Sequence, residues 1–259
     1  MVLEYLKIGT SENFLLTQII KKNFSSKYKD SVLGILWTFL NPLLMMILLT
    51  VIFSTMFSRN IENYPVYLLT GRSLYTFFKS GTSISMNAIK YNKNILQKVA
   101  TSKSIFVIGS VLTEFINFLI TIPILIGVMI VTGCPITPNI ILIIIPITIL
   151  FLIILGSGLI LSILGTYFSD IKHLYGIFTM ALMYASAIFY PMESVPLKIR
   201  QYLELNPIYQ NIFQMREILL HGVMPPINSI IYTLIIAAAL LIVGIIVFNK
   251  YQDKVVYRL

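Results

Sequence analysis

Residues 140–168 read IILIIIPITILFLIILGSGLILSILGTYF, a run without a single charged side chain and long enough to cross the hydrocarbon core of a bilayer as one helix. Five further runs share its character: Val32 to Phe57, Tyr64 to Met86, Ile105 to Thr132, Leu174 to Pro191 and Ile227 to Phe248. The whole chain is 57% hydrophobic and 11% charged, where soluble domains carry roughly a quarter of their residues as charges. The expectation is an all-α polytopic membrane protein with six transmembrane helices, forming a single domain over residues 1–259. An even number of spans returns the chain to the side on which it starts.

The cations lie almost wholly on one side of these runs. Lys7, Lys21, Lys22, Lys27 and Lys29 precede the first, and Lys90, Lys93, Lys98 and Lys103 lie between the second and third. Lys172 follows the fourth, and Lys250, Lys254 and Arg258 follow the sixth. With Glu4, Glu12, Asp30, Asp170 and Asp253 against them, these segments carry +8 of the formal +9. On the opposite side Arg59, Lys198, Arg200 and Arg216 are balanced by Glu62, Glu193, Glu204 and Glu217. Because Lys and Arg beside a span resist translocation, the basic side is expected to be cytoplasmic, with both termini on it. The basicity reads as topology and contact with anionic lipid, and no nucleic-acid partner is expected. Met1 to Gly9 has no long apolar stretch, so the first span is expected to act as its own insertion signal. Cys134 is the only cysteine, which excludes an internal disulfide and a cysteine metal cluster.

Outside the spans the longest segments are 1–31 and 192–226, too short for an ATPase or glycosyltransferase domain. Ser11 can cap a helix with Glu12 in its first turn, in which Leu15, Leu16, Ile19, Ile20 and Phe24 share a broad face and Thr17, Gln18, Lys21 and Lys22 the other. Such a helix is expected to lie in the interface, either as a membrane anchor or as a docking collar for a cytoplasmic partner. Over Asn87 to Val99 the wheel divides Ala88, Ile89, Tyr91, Ile95, Leu96 and Val99 from Lys90, Lys93, Asn94, Gln97 and Lys98, which predicts a short amphipathic helix at the cytoplasmic surface. Between spans five and six, Asn206 and Pro207 open a helix and Gly222 stops it. At about 1.5 Å per residue that helix is too short to span, so segment 192–226 is expected to be a hairpin of re-entrant or interfacial helices, external and gate-like.

Chemistry is partly read from what is missing. No GxxxxGK[ST] phosphate cradle occurs, nor HExxH or GxSxG, so neither ATP nor a catalytic metal is expected in this chain. Within the spans only Arg72, Lys79 and Glu114 are ionisable, and such groups face a bundle interior or a wet cavity. Their depths along spans two and three make a Lys79–Glu114 ion pair the expected arrangement. A substrate path and a proton relay are the other readings, although a proton-coupled carrier would need more buried acids. Aromatic side chains in spans two and five, among them Tyr75, Phe77, Phe78 and Tyr190, are interface belts, packing groups, or platforms for sugar rings in a channel.

Taken in order, a set of short motifs resembles the permease subunit of type-2 ABC exporters for O-antigen, teichoic acid and related polysaccharides. The set opens with Lys27-Tyr28-Lys29-Asp30-Ser31-Val32-Leu33-Gly34, Trp37 and Asn41-Pro42. It continues through Tyr64-Pro65, Tyr67-Leu68-Leu69, Gly71 and Phe77-Phe78, then Gly165, Asp170-Ile171, Tyr190-Pro191, Pro196, Asn206-Pro207, Phe213, Arg216 and Gly222. One departure falls in span two, where Gly71-Arg72-Ser73-Leu74-Tyr75 stands against the family's Gly-Leu-x-Pro-Trp. The resemblance implies a homodimer with a channel between subunits, bound to separate ATP-binding cassette subunits that hold ATP and Mg. It also implies a coupling helix at Asn87 to Val99, gate helices in Met192 to Gly222, and a lipid-linked glycan as substrate. The competing readings are an ion-coupled secondary carrier using Arg72, Lys79 and Glu114, and an enzyme acting on polyprenyl lipids, for which Asp170 stands nearly alone.

Overall fold

The computed structural model describes residues 10–28, 31–34, 36–57, 61–96 and 101–256, and the regular structure among them is helical throughout. In chain order the helices are α1 (Thr10–Tyr28), α2 (Leu36–Phe57), α3 (Tyr64–Tyr91), the one-turn α4 (Lys93–Leu96), α5 (Ser104–Val131), α6 (Ile144–Tyr167), α7 (Ile171–Tyr184), α8 (Leu197–Glu204), α9 (Pro207–Leu220) and α10 (Ile227–Val256). Glu4, Lys7, Lys29, Asp30, Arg59, Gln97, Lys98, Val99 and Arg258 lie outside the described residues.

Four stretches among the described residues are long and apolar enough to cross a membrane: Leu36–Phe53, Ser104–Val131, Pro138–Tyr167 and Ile227–Val255. The two other expected spans differ. α3 has the length, about 42 Å, but Arg72, Lys79 and Lys90 lower its hydropathy. α7 ends at Tyr184, well before Pro191, and reaches about 21 Å, short of a core of roughly 30 Å. The helix ends where Ala187 adopts a φ of 46°, a left-handed conformation that an L residue holds only with support from its surroundings. The helix expected over Asn87 to Val99 is also revised. α3 continues to Tyr91 and breaks at Asn92, whose side-chain amide donates to the Ala88 carbonyl (2.8 Å), and α4 resumes at Lys93.

The core is α6 packed between α3 and α10, with α5 against the other side of α3. Lipid supplies no hydrophobic drive between helices, so close approach of backbones has to supply the packing, and small residues permit it. Gly81 faces Ile154, Gly158 faces Ser85, and Gly156 meets the main chain of α10 at Leu240 and Leu241. Several hydroxyls along these helices are satisfied within the helix: Thr82 donates to Phe78 O, Ser85 to Gly81 O, Ser110 to Phe106 O and Thr113 to Gly109 O. That is how polar side chains persist where no water can reach the backbone.

α1 begins at Thr10, one position before the expected Ser11 cap, and lies along α5. Ile19, 2% exposed, packs on Gly109, and Leu16 reaches the same glycine. Ile19, with Leu15 and Leu16 beside it, is thus seated on the protein, while Ile20 and Phe24 of the same face stay partly exposed. Lys22 Nζ donates to Asn92 Oδ1 (3.0 Å), Lys103 pairs with Asp253 (2.6 Å), and the Lys172 ammonium stands 6.0 Å over the Tyr91 ring. These contacts gather the lysine-bearing segments at one end of the bundle. At the far end Asn63 binds Thr132 Oγ1 (2.8 Å), and Asn139 binds the Gly222 carbonyl (2.6 Å).

Candidate functional site

Three helical stripes converge on a cavity of about 400 Å³. α2 contributes Trp37, Thr38, Asn41 and Pro42, α3 contributes Arg72, Ser73, Thr76, Phe77 and Ser80, and α5 contributes Glu114, Asn117, Phe118 and Thr121. On each helix the positions recur at three or four residues, the spacing of a single face. The cavity is therefore a polar meeting of faces on helices otherwise built for lipid. Glu114 sits about 15 Å along α5 from Ser104, and Arg72 about 13 Å along α3 from Asn63.

Glu114, 4% exposed, accepts from Asn117 Nδ2 at 3.2 Å. Phe77 stacks on Phe118 at 5.0 Å between centroids and tilts against Phe115 at 5.7 Å, closing one wall. Arg72 is half-buried. Among the described residues no ion pair joins Lys79 to Glu114, which overturns that expectation. Although Lys79 lies two turns below Arg72 and within about 20° of it around α3, it is exposed and does not line the cavity, whereas Arg72, Thr76 and Ser80 do.

A second cluster holds the far end. Arg216 of α9, 5% exposed, donates to three main-chain carbonyls: Nε and Nη2 to Tyr67 O (3.3 and 3.2 Å), Nη1 to Ala187 O (3.0 Å) and Nη2 to Ile188 O (3.2 Å). Its guanidinium carbon lies 3.3 Å from the centroid of the Tyr67 ring. The Tyr67 hydroxyl donates to Ala187 O (3.1 Å) and Tyr190 O (2.8 Å), and the Tyr64 hydroxyl to Phe189 O (3.0 Å). Asn206 caps α9 through Ile208 N (2.9 Å), with Pro207 opening the helix, and its amide reaches Ala185 O (3.2 Å). A Cβ at Gly71 would lie 2.7 Å from Arg216 Nη2, so any larger residue there has to displace the guanidinium. The left-handed turn at Ala187 is thus held by one cation, two tyrosines and an amide.

Outside this latch lies a cup of about 530 Å³ lined by Glu62, Glu193, Glu204 and Glu217 together with Arg200 and His221. Glu204 accepts from Arg200 Nε at 2.7 Å, and that bond holds the guanidinium above its usual range.

α7 is tied to the bundle by two phenols. Tyr75 donates to the Thr179 carbonyl, and the Tyr175 hydroxyl donates to Thr82 Oγ1. Thr179 is the one buried residue of α7, while Leu174, Ile177, Phe178, Met180 and Tyr184 stand exposed. Replacing both Tyr75 and Tyr175 by Phe is expected to lower stability by about 1 kcal/mol per lost bond. Thermal melting of the full chain in detergent reads this, and an unchanged melt would show that α7 is held by something else.

The remaining sequence candidates are dispersed. Phe78 is core, 5% exposed. Tyr190, Asn206, Pro207 and Arg216 belong to the latch. Lys90 and the exposed Tyr91 end α3, and Lys93 and Asn94 form α4 at the lysine-bearing end, with Gln97 and Lys98 outside the described residues. Sequence reasoning left out Asn117 and Thr121, although their spacing from Glu114 in an apolar span is a legible polar stripe. It also named Trp37 only as part of a motif.

The ABC-2 type transporter family matches residues 15–220. The O-antigen export system permease protein RfbA of Klebsiella pneumoniae is 31% identical over 244 residues, 93% of each chain. A protein of the same description from Myxococcus xanthus is 26% identical over 207 residues, 77% of this chain and 80% of that one. The polysialic acid transport protein KpsM of Escherichia coli is 24% identical over 225 residues, 85% and 87% of the two chains.

Proposed function

Since the chain belongs to the ABC-2 type transporter family, we propose that it is the multi-pass membrane permease of an ATP-driven exporter that moves a lipid-linked surface polysaccharide outward across the cytoplasmic membrane. The observation that carries the reading is the polar, aromatic-walled cavity among helices built for lipid. A side chain such as Arg72 is costly at that depth, and its presence is the mark of a path for something polar.

In this reading α3, and α7 together with the residues that follow it up to Pro191, complete six spans, and both termini are cytoplasmic. The largely exposed apolar faces of α2 and α7 support assembly as a homodimer, because such faces beside a polar cavity suit a second copy that closes a channel. The sequence has no phosphate-binding loop, so ATP and Mg belong to a separate ATP-binding cassette subunit. That subunit docks at the lysine-bearing end, against Lys90, Tyr91, Lys93 and Asn94. The carrier alternative loses its ion path with the separation of Lys79 from Glu114.

The test is co-expression with a cassette ATPase followed by reconstitution in vesicles. The expected result is an ATPase that co-purifies with the chain and transport that stops when ATP is depleted. Transport that persists without the ATPase and follows an ion gradient would overturn the reading.

A further inference from the structure

Resting on the export reading, we infer that Asn92 is the positioning residue of the docking surface: its bond to Lys22 ties α4 to α1, so that a movement of α4 reaches α5 as well as α3. Asn92 is 4% exposed, whereas Lys90, Tyr91, Lys93 and Asn94 on either side are partly or fully open. Each of its polar groups is engaged. The main-chain N–H donates to Ile89 O (3.3 Å) and the side-chain amide to Ala88 O (2.8 Å). The main-chain carbonyl accepts from Ile95 N and Leu96 N, both at 3.0 Å, and Oδ1 accepts from Lys22 Nζ at 3.0 Å. The orientation of the amide is forced, because an ammonium only donates and a carbonyl only accepts. Asn92 thus closes α3, opens α4 and holds α1 at once.

α1 carries that tie to a different helix. Ile19 packs on Gly109, and the Asn23 amide donates to Thr113 Oγ1 (3.5 Å), one residue before Glu114. Ile95 and Leu96 of α4 pack on the same buried apolar set as Leu15 and Leu16 of α1, a set that includes Ile89 and Phe106. Coupling between distant groups is carried by such chains of packed and hydrogen-bonded elements. A partner bearing on Lys90, Tyr91, Lys93 and Asn94 therefore loads two routes. One runs through the backbone of α3 to Arg72, and the other crosses Lys22 to α1 and enters α5 beside Glu114. Arg72 and Glu114 stand on different walls of one cavity, so both walls answer to one joint. An anchor helix alone has no use for this bond, since it would leave Lys22 to water and lipid headgroups.

Lys22 is exposed, so Lys22→Met removes the bond without emptying a core. Two quantities are read for each variant: ATP hydrolysis by the chain purified with its cassette ATPase, and the rate at which surface polysaccharide, measured as total carbohydrate, appears on cells whose own copy of the chain is replaced. Lys22→Met is expected to keep the complex and its hydrolysis while export falls about tenfold, the scale of one hydrogen bond to a charged group. Lys22→Arg, which keeps a charged donor, should restore most of the export. Asn92→Leu should also uncouple the two rates, and the double variant should be no worse than Asn92→Leu alone, because both changes cut the same link. Unchanged export in Lys22→Met, or hydrolysis and export falling in proportion, overturns the inference and leaves the export reading standing. Losses from Lys22→Met and Asn92→Leu that multiply in the double variant overturn it as well. If no cassette ATPase accompanies the parent chain, or cells without the chain export as before, the export reading itself falls and takes the inference with it.

Discussion

Arg216→Ala is expected to be among the most damaging single substitutions in this chain, costing about 3–5 kcal/mol. The change removes four charge-assisted hydrogen bonds, leaves carbonyls at Tyr67, Ala187 and Ile188 short of donors, and opens a void against the Tyr67 ring. Without the guanidinium only the Tyr67 and Tyr64 hydroxyls and the Asn206 amide remain on the turn, and residues 185–190 should loosen against α3. Arg216→Lys should rescue poorly, since an ammonium is a point charge that cannot fork to three carbonyls and lie flat on a ring. Thermal melting in detergent and protease cleavage within 185–190 are the readouts. A melt of Arg216→Ala within a few tenths of a kcal/mol of the parent, with the turn still protected, would sink this account.

Gly156→Val should be as severe for a different reason. A Cβ at Gly156 would lie 2.6 Å from the Leu240 carbon and the Leu241 nitrogen, and one at Gly244 2.5 Å from the Gly156 oxygen. Those neighbours are main chain, which cannot rotate aside as a side chain can. α6 and α10 would have to separate along their contact, beyond the roughly 1–3 kcal/mol of ordinary overpacking. The expected result is failure to accumulate in the membrane, for Gly156→Val and Gly244→Val alike. Gly127→Ala is the matched control: no atom lies within 4 Å of its added Cβ, so expression and melting should hold. If the control and Gly156→Val behave alike, the tight helix pair is not what holds the core.

The apolar runs that mark α2, α5, α6 and α10 were legible because lipid imposes length and composition at once. α7 was overextended because its apolar run continues past Tyr184, while the helix ends at a turn fixed by distant groups. The cavity was half legible. Arg72 and Glu114 stand out as charges, and Asn117 and Thr121 follow from their spacing, but Lys79 was paired with Glu114 from depth alone, and depth does not tell which of two charges on one helical side reaches a partner. The latch was legible only as an ordered set of motif residues. Arg216 finds its partners in backbone carbonyls, and carbonyls are the same for every residue type, so sequence carries no mark of which ones face a cation.

α3 runs 28 residues without an interior proline, Leu74 standing where the family pattern puts one. One end is pinned at Asn92 by Lys22, the other at Tyr67 by Arg216, and Arg72 lies between them. With no proline kink to interrupt it, on the export reading a turn applied to α3 at Tyr91 would act as through a drive shaft on the cavity wall and the seat of the latch.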